Sequence, residues 1–281
     1  MLPSLSARDF ARLGHFVNAR TGIKVNGEKK TLFESRLQKR MRHLGLKDFG
    51  EYCEFLFSAE GAEAELGHLI DAVTTHKTDF FREPDHFDFL ADVALPELMK
   101  SRGKGRLAVW SSACSTGEEP YTIAMVLSEC INRFFAPGIL NFDVLATDIS
   151  NGVLQKAKNA IYSEEQVAPV PVQMRKKYLL RSKDRTKMLV RIAPELRNKV
   201  FFSPLNLTED NFEGIQVQDI IFCRNVVIYF NRDVQKRLLR RVCDKLAPGG
   251  YLFMGHSEAI HGFGLPLAKA GPSIYRQTEK A

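Results

Sequence analysis

The sequence predicts an α/β protein: a Rossmann-like domain with a small inserted antiparallel β-subdomain, preceded by an all-α domain. Three observations predict it. A length of 281 residues exceeds one small domain and suits two. Up to about Ile70 the chain carries helical periodicity alone. Beyond Leu107, short apolar runs alternate with helical patterns, which implies a parallel sheet. The boundaries read as 1–73 for the helical domain, 74–106 for a linker with a connecting helix, and 107–281 for the α/β domain, with the β-subdomain at about 180–200.

Each element has its own signal. The first helix begins with a cap near Ser4 and sets Phe10, Leu13, Phe16 and Val17 on one side. The second runs from Glu28 to Leu44 and stops at Gly45. The third covers Phe49 to Phe57 and the fourth Ala62 to Val73. After the polar-to-aromatic joint Thr74–Phe81 come a helix at His86–Met99 and the linker Ser101-Arg-Gly-Lys-Gly-Arg106. Strands are expected at Leu107–Ser111, Phe142–Ala146, Val200–Ser203, Asp219–Cys223 and Gly250–Gly255. The last follows a helix at Arg232–Leu246 and the turn Pro248-Gly249-Gly250. Met188–Ile192 alternates enough for a short strand where a crossover helix alone would suffice, hence the β insertion.

Composition is ordinary for a globular chain, with 44% hydrophobic and 26% charged residues. A net charge of +7 favours an acidic partner (nucleic acid, anionic membrane or acidic protein surface) without choosing among them. Cys53, Cys114, Cys130, Cys223 and Cys243 form no paired spacing and read as reduced thiols. No signal-peptide pattern or membrane-length apolar run is present, so a soluble, cytoplasmic protein without membrane insertion is expected. His15, His68, His76, His86, His256 and His261 show no metal spacing, and no metal site is expected.

The segment Leu107–Ala124 reads as a buried strand, a small-residue loop and an abrupt helix start. Thr116 and Glu119 have capping-box spacing, and Pro120 lies in the first turn. A strand running into a glycine loop and a helix is how doubly wound folds hold a nucleotide-like ligand. Here the loop ends in Glu118 and Glu119, which would repel a pyrophosphate. They suit a cationic ligand, which shifts the reading from a dinucleotide toward S-adenosylmethionine. Glu118 itself reads as a charge complementing the helix dipole.

Asp148, at the end of the second strand, fits a ribose-binding acid, and with Gly117 upstream that reading outweighs a helix cap. Asn206 can meet an adenine edge, although a turn asparagine is the simpler reading. Ile220–Phe230 delivers Arg224, Asn225 and then Tyr229 at a buried strand end, an expensive place for polarity. Thr74–Glu83 reads as a loop closing over the crevice, with Arg82 pairing with Glu83 or Asp85. In the second helix Lys29, Lys30, Arg36, Lys39, Arg40, Arg42 and His43 make a nearly pure basic run. Arg36, Lys39, Arg40 and His43 share one face, opposite the stripe Phe33, Leu37, Met41 and Leu44.

Together, Thr78–Arg82, Trp110–Pro120, Ala146–Ile149, Asn206-Leu207, Phe222–Phe230 and Gly249–Glu258 resemble the CheR family of chemotaxis receptor methyltransferases. The resemblance spans nearly the whole chain, with the motifs in family order. It implies an S-adenosylmethionine-dependent methyltransferase domain and methyl esterification of glutamates on the cytoplasmic helices of chemoreceptors, leaving S-adenosylhomocysteine. It implies that His76, Thr78, Arg82, Glu119, Asp148, Asn206, Leu207, Cys223 and Arg224 line the cofactor pocket. It also implies that Tyr229 stands beside the transferred methyl. The family commonly has Asn where this chain has His76. Members that grip a C-terminal receptor pentapeptide carry a glycine-rich loop, whereas Arg181–Lys187 has no glycine, so pentapeptide tethering is not expected.

A glutamate is already ionised at neutral pH, its reference pKa being about 4.3, so methyl transfer needs alignment rather than a general base. Arg82 or Arg224 would orient the substrate carboxylate, and Arg36, Lys39, Arg40 and Arg42 would hold an acidic receptor helix. The chain is expected to be a monomer that binds no nucleic acid. A nucleic-acid methyltransferase and a non-catalytic S-adenosylmethionine sensor are the competing readings.

Overall fold

The computed structural model describes residues 4–25, 27, 30–102, 105–134, 140–210 and 212–278. Glu28 and Lys29 of the expected second helix, and Gly103 and Lys104 of the expected linker, lie outside the described residues. The chain forms two compact units: the N-terminal helices together with Tyr229–Val234, and the remainder from His76 onward.

The first unit holds α1 (Ala7–Thr21), α2 (Lys30–Leu44), α3 (Phe49–Leu56) and α4 (Ala59–Val73). Ser6, Asp48 and Ser58 cap α1, α3 and α4 by accepting from backbone N–H groups of the first turn. The Ser58 cap starts α4 three residues before the expected Ala62. Gly22 ends α1 in the left-handed conformation at φ 67°. Leu13, Val17, Phe33, Leu37, Met41, Tyr52 and Leu56 form the core, as the helical stripes require.

The basic run on α2 divides in two. Arg36 Nη1 donates to the carbonyls of Ala72 (3.0 Å) and Thr74 (2.5 Å), satisfying the C-terminal end of α4. Arg40 pairs with Glu65 of α4, its Nε lying 3.0 and 3.1 Å from the two carboxylate oxygens. The Glu65 side chain is only 1% exposed. Lys39, Arg42 and His43 face solvent. Arg36 and Arg40, expected on an open substrate-binding face, are therefore turned inward to hold α4.

The second unit opens with α5 (Pro84–Phe89), a π-helical turn (Leu90–Ala94) and α6 (Leu95–Arg102). The wide turn precedes Pro96, which lacks an N–H and crowds the carbonyl four residues back. Next come β1 (Gly105–Ser111), α7 (Glu118–Phe134), β2 (Leu140–Asp148), α8 (Asn151–Asn159) and β3 (Ile161–Ser163). They are followed by α9 (Val172–Tyr178), β4 (Leu179–Arg181), β5 (Leu189–Ile192), α10 (Pro194–Arg197) and β6 (Val200–Pro204). The chain continues through β7 (Gln218–Cys223), α11 (Arg232–Asp244), β8 (Leu246–Met254), β9 (Leu267–Gly271) and β10 (Ile274–Gln277).

The main sheet has the order β6-β2-β1-β7-β8-β10-β9, parallel from β6 through β8 and antiparallel at β10 and β9. The chain order reverses between β1 and β7, so their carboxyl ends frame the crevice where doubly wound sheets bind ligands. β7 is buried along its whole length, and Phe222 stacks on Phe253 of β8 at 4.4 Å. β9 and β10 carry no sequence signal of the expected kind, because β9 is a largely exposed edge strand without an apolar run. The antiparallel insertion is the sheet β3-β5-β4. It begins at Ile161, earlier than the expected 180, because three-residue strands are too short to show a period. Among the described residues, no helix is long and apolar enough to cross a membrane.

Replacing Arg40 by Ala should lower stability by about 3 kcal/mol, since it strands the buried Glu65 carboxylate. Urea unfolding checks this, and Glu65→Gln in the same chain should recover part of the loss.

Candidate active site

Three chain segments cross-link the loop after β1. Ser112 N–H donates to the Phe222 carbonyl of β7 and Cys114 N–H to the Thr147 carbonyl of β2, both at 2.9 Å. Ser115 sits at φ 48° with its N–H on Asp148 Oδ2 (2.9 Å) and its hydroxyl on the His76 carbonyl (3.1 Å). Trp110 Nε1 donates to Thr147 Oγ1, which donates to the Ser112 carbonyl.

Gly117 lets this loop approach the next layer. Its φ is 98°, and a Cβ there would lie 2.8 Å from the Tyr162 hydroxyl and 2.9 Å from Ala157 Cβ of α8. Tyr162 donates to the Thr116 carbonyl at 2.8 Å, closing the same contact.

The two carboxylates at the start of α7 take different partners from those of a capping box. Thr116 Oγ1 donates to Glu118 (2.7 Å), and Ser111 Oγ donates to Glu119 (2.7 Å). Glu118 is 2% exposed, and burial raises its carboxyl pKa against the opposing Thr116 hydrogen bond. Burial also raises the pKa of Glu119, opposed chiefly by the positive charge of Arg224.

Arg224 follows β7 with its side chain only 2% exposed. Its Nη2 lies 3.3 Å from Glu83 Oε2 and its Nε 3.6 Å from Glu119 Oε2. It also donates to the Arg82 carbonyl, and its Cζ lies 5.4 Å from the Phe87 ring centroid. Arg224, expected as one of two groups to orient a substrate carboxylate, thus turns inward onto Glu83 and Glu119. Glu83 pairs with Arg224, and Asp85 lies 3.1 Å from His256, so neither forms the expected pair with Arg82. Arg82 Nη1 donates instead to the Lys77 carbonyl at 2.8 Å.

The turn after Arg224 is held by Glu258. Its carboxylate accepts from the N–H groups of Gly255 (2.7 Å), Asn225 (2.8 Å), Val226 (2.9 Å), Val227 (2.7 Å) and Ile228 (3.4 Å). Such convergent N–H groups form an anion nest, here filled from within the chain. It supports Asn225 in the left-handed region at φ 55°. Asn225 Nδ2 in turn donates to Glu83 Oε1 at 3.3 Å. The nest role of Glu258 and the bridging role of Glu83 escape the sequence reading, because both partners lie far away in the chain.

His76, Arg82, Glu119, Asp148, Cys223 and Arg224 converge at the ends of β1, β2 and β7. Asp148 anchors the loop, and Ser150 rather than Asp148 caps α8. Asn206 Oδ1 accepts from Thr208 N–H (3.1 Å) and Oγ1 (2.8 Å), a turn asparagine, while Leu205 N–H ties the turn to the Asp148 carbonyl. Leu207 is 5% exposed. Cys223 is fully buried, and burial pushes its thiol well above its usual range. Thr78 is half-buried in its loop. Tyr229 ends a 3-10 turn, groups with the helical unit, and accepts at its carbonyl from Lys24 N–H at 2.9 Å. Arg36, Lys39, Arg40 and Arg42 all lie on α2 of the helical unit.

Residues 8–74 match the all-alpha domain of CheR methyltransferases, and residues 76–270 match the S-adenosylmethionine-binding domain of the same family. The chemotaxis protein methyltransferase of Escherichia coli strain K12 is 39% identical over 272 residues, covering 97% of this chain and 91% of that protein. That of Borreliella burgdorferi is 38% identical, covering 92% and 90%. Chemotaxis protein methyltransferase 2 of Pseudomonas aeruginosa is 38% identical, covering 95% and 92%.

Gly117→Ala should destabilise by about 1–3 kcal/mol, from positive φ and a clash together. Gly264→Ala, at φ 61° with no neighbour within 4 Å, should lose only about 1 kcal/mol. Thermal unfolding of the two variants side by side separates the clash from the backbone term.

Proposed function

The chain belongs to the CheR methyltransferase family, and from that premise we propose that it methylates glutamate side chains of chemoreceptor cytoplasmic helices. S-adenosylmethionine is the methyl donor of this family, and the residues present fit it. The observation that carries the reading is Glu119: a largely enclosed carboxylate, 13% exposed, at the helix start after β1, fixed by Ser111 and Arg224. A carboxylate so placed suits an ammonium group and repels a phosphate. When bound, the cofactor supplies a methyl group activated by a sulfonium.

The protein's own part is alignment. Glu119 binds the amino end, while Asp148 faces the ribose. His76, Thr78, Asn206, Leu207 and Cys223 line the remainder. Arg224 is a positioning residue, holding Glu119 and the Arg82 carbonyl in one arrangement. Arg82, half-buried, orients the incoming carboxylate, and Tyr229 positions it without abstracting a proton. Lys39 and Arg42 are exposed and available to an acidic helix, whereas Arg36 and Arg40 serve the helical unit itself. This division weakens the case for a nucleic-acid substrate, since part of the basic run is committed internally. The protein acts in the cytoplasm as a monomer. Tail tethering is not part of the reading: Asp184 accepts from Thr186 in a short polar turn at the tip of the β4–β5 connection, with no glycine.

Labelled S-adenosylmethionine and receptor fragments should yield base-labile methyl esters on glutamate, located by mass spectrometry. Base-stable methylation of nucleic acid, with none on the receptor, would overturn the assignment. Tyr229→Phe and Arg82→Ala should each cut turnover, by roughly 100-fold if the carboxylate is misplaced by about an ångström. A sensor would change in binding alone. Removing the receptor's C-terminal tail should leave turnover nearly unchanged.

Cofactor affinity should also depend on pH through Glu119. Its pKa is raised, and the cationic ligand needs the ionised form. Affinity is therefore complete well above the usual carboxylate range and falls as pH drops through the raised value. Glu119→Gln should bind weakly at every pH and lose this dependence, as calorimetric titration between mildly acidic and neutral pH would show.

A further inference from the structure

Glu83, His86 and His256 meet in the α/β unit, although the chain between them gives no metal-binding spacing. One ligand atom from each lies within 4.8 Å of the other two. His86 is fully buried and packs edge-on to Phe253, with ring centroids 5.7 Å apart. Neither of its ring nitrogens has a hydrogen-bond partner. Nδ1 points toward Glu83 Oε2 at 3.5 Å, and that buried oxygen also lacks a hydrogen bond. Both ring nitrogens of a fully buried imidazole are thus left without a hydrogen bond, beside a carboxylate oxygen that is ion-paired to Arg224 at 3.3 Å, a costly arrangement for the imidazole unless a cation or another polar partner completes it.

The surroundings favour a metal ion as that completion. The His256 ring lies 4.8 Å from that of His86, and its Nε2 is 3.1 Å from Asp85 Oδ2. An imidazole anchored through one nitrogen to a carboxylate is the usual support of a metal-bound histidine. Arg224 already balances the charge of Glu83, and Asp85 supplies a second negative charge for an incoming ion. The His256 side chain is 47% exposed, which leaves a route from solvent.

We propose that Glu83, His86 and His256, with Asp85 behind His256, form a binding site for a divalent transition-metal ion of the zinc class. Two imidazoles and one carboxylate are a borderline donor set suited to zinc, with room for a water as fourth ligand. Zinc bonds of ~2.0–2.2 Å hold donors a little over ~3 Å apart, so the site closes when exposed His256 swings inward by about an ångström. Occupancy would draw on the same Glu83 oxygen that faces Arg224, and so would couple to the grip of Arg224 on Glu119.

The test uses the full chain, stripped with chelator, and zinc chloride alone as the probe. Calorimetric titration should show one zinc per chain, and cobalt(II) should give visible absorption bands of a low-symmetry nitrogen and oxygen site. His256→Ala should weaken zinc binding by roughly 100-fold and Asp85→Asn by roughly 10-fold. Both side chains are about half exposed, so neither variant should unfold the chain. Zinc should raise the unfolding temperature of the wild-type chain and not that of His256→Ala. Absence of stoichiometric binding overturns the proposal. So does zinc held equally by the wild type and His256→Ala, as adventitious capture by other surface histidines would give.

Discussion

The guanidinium of Arg224 joins the segments from which the site is built. It contacts Glu83 and the Arg82 carbonyl on one side, Glu119 at the start of α7 on another, and the ring of Phe87. A buried cation is tolerable only with such compensation, because an unpaired one carries a desolvation penalty of several kcal/mol. The requirement works in both directions. The dependence is mutual: Glu83 and Glu119 lie against the same guanidinium, and burial of Glu119 favours its neutral form against the charge of Arg224. The loop at 82–83, the end of β7 and the first turn of α7 are therefore set by one electrostatic condition.

Glu258 does for the backbone what Arg224 does for the side chains. It gathers the N–H groups of the turn after β7, which no helix or strand satisfies, and so fixes the direction in which the chain leaves Arg224. Asn225 links the two devices through its hydrogen bond to Glu83. On the opposite flank Gly117 and Tyr162 bring the β1 loop down onto α8. Both flanks of the crevice at the β1 and β7 ends are thus cross-linked by hydrogen bonds between distant segments, the kind of support that a reaction depending on alignment needs.

Much of this was legible in the sequence. The alternation after Leu107 gave the parallel sheet, and the small-residue loop with its two glutamates gave the sign of the ligand's charge. The buried run ending at Arg224 marked polarity where it is expensive. Less legible were the edge strand β9 and the outer strands β3 and β4 of the antiparallel insertion, because strands of three to five largely exposed or half-exposed residues leave no period to read. The basic helix misled in part. Its spacing placed Arg36 and Arg40 on a common face, but spacing along one helix does not show that α4 packs against that face.

The sequence by itself determined the helical N-terminal part, the parallel strands of the main sheet and the class of cofactor, since those follow from periodicity, turn chemistry and local charge. Only the tertiary structure decided how each charge is used. It turned Arg224 from a substrate-facing group into the holder of Glu119, committed Arg40 to Glu65, and brought Glu83, His86 and His256 to one place. Each of these rests on contacts between residues distant in the chain. The cost of leaving a buried charge or polar atom unpaired selects such partners, and that cost arises only once the fold has removed water from around them.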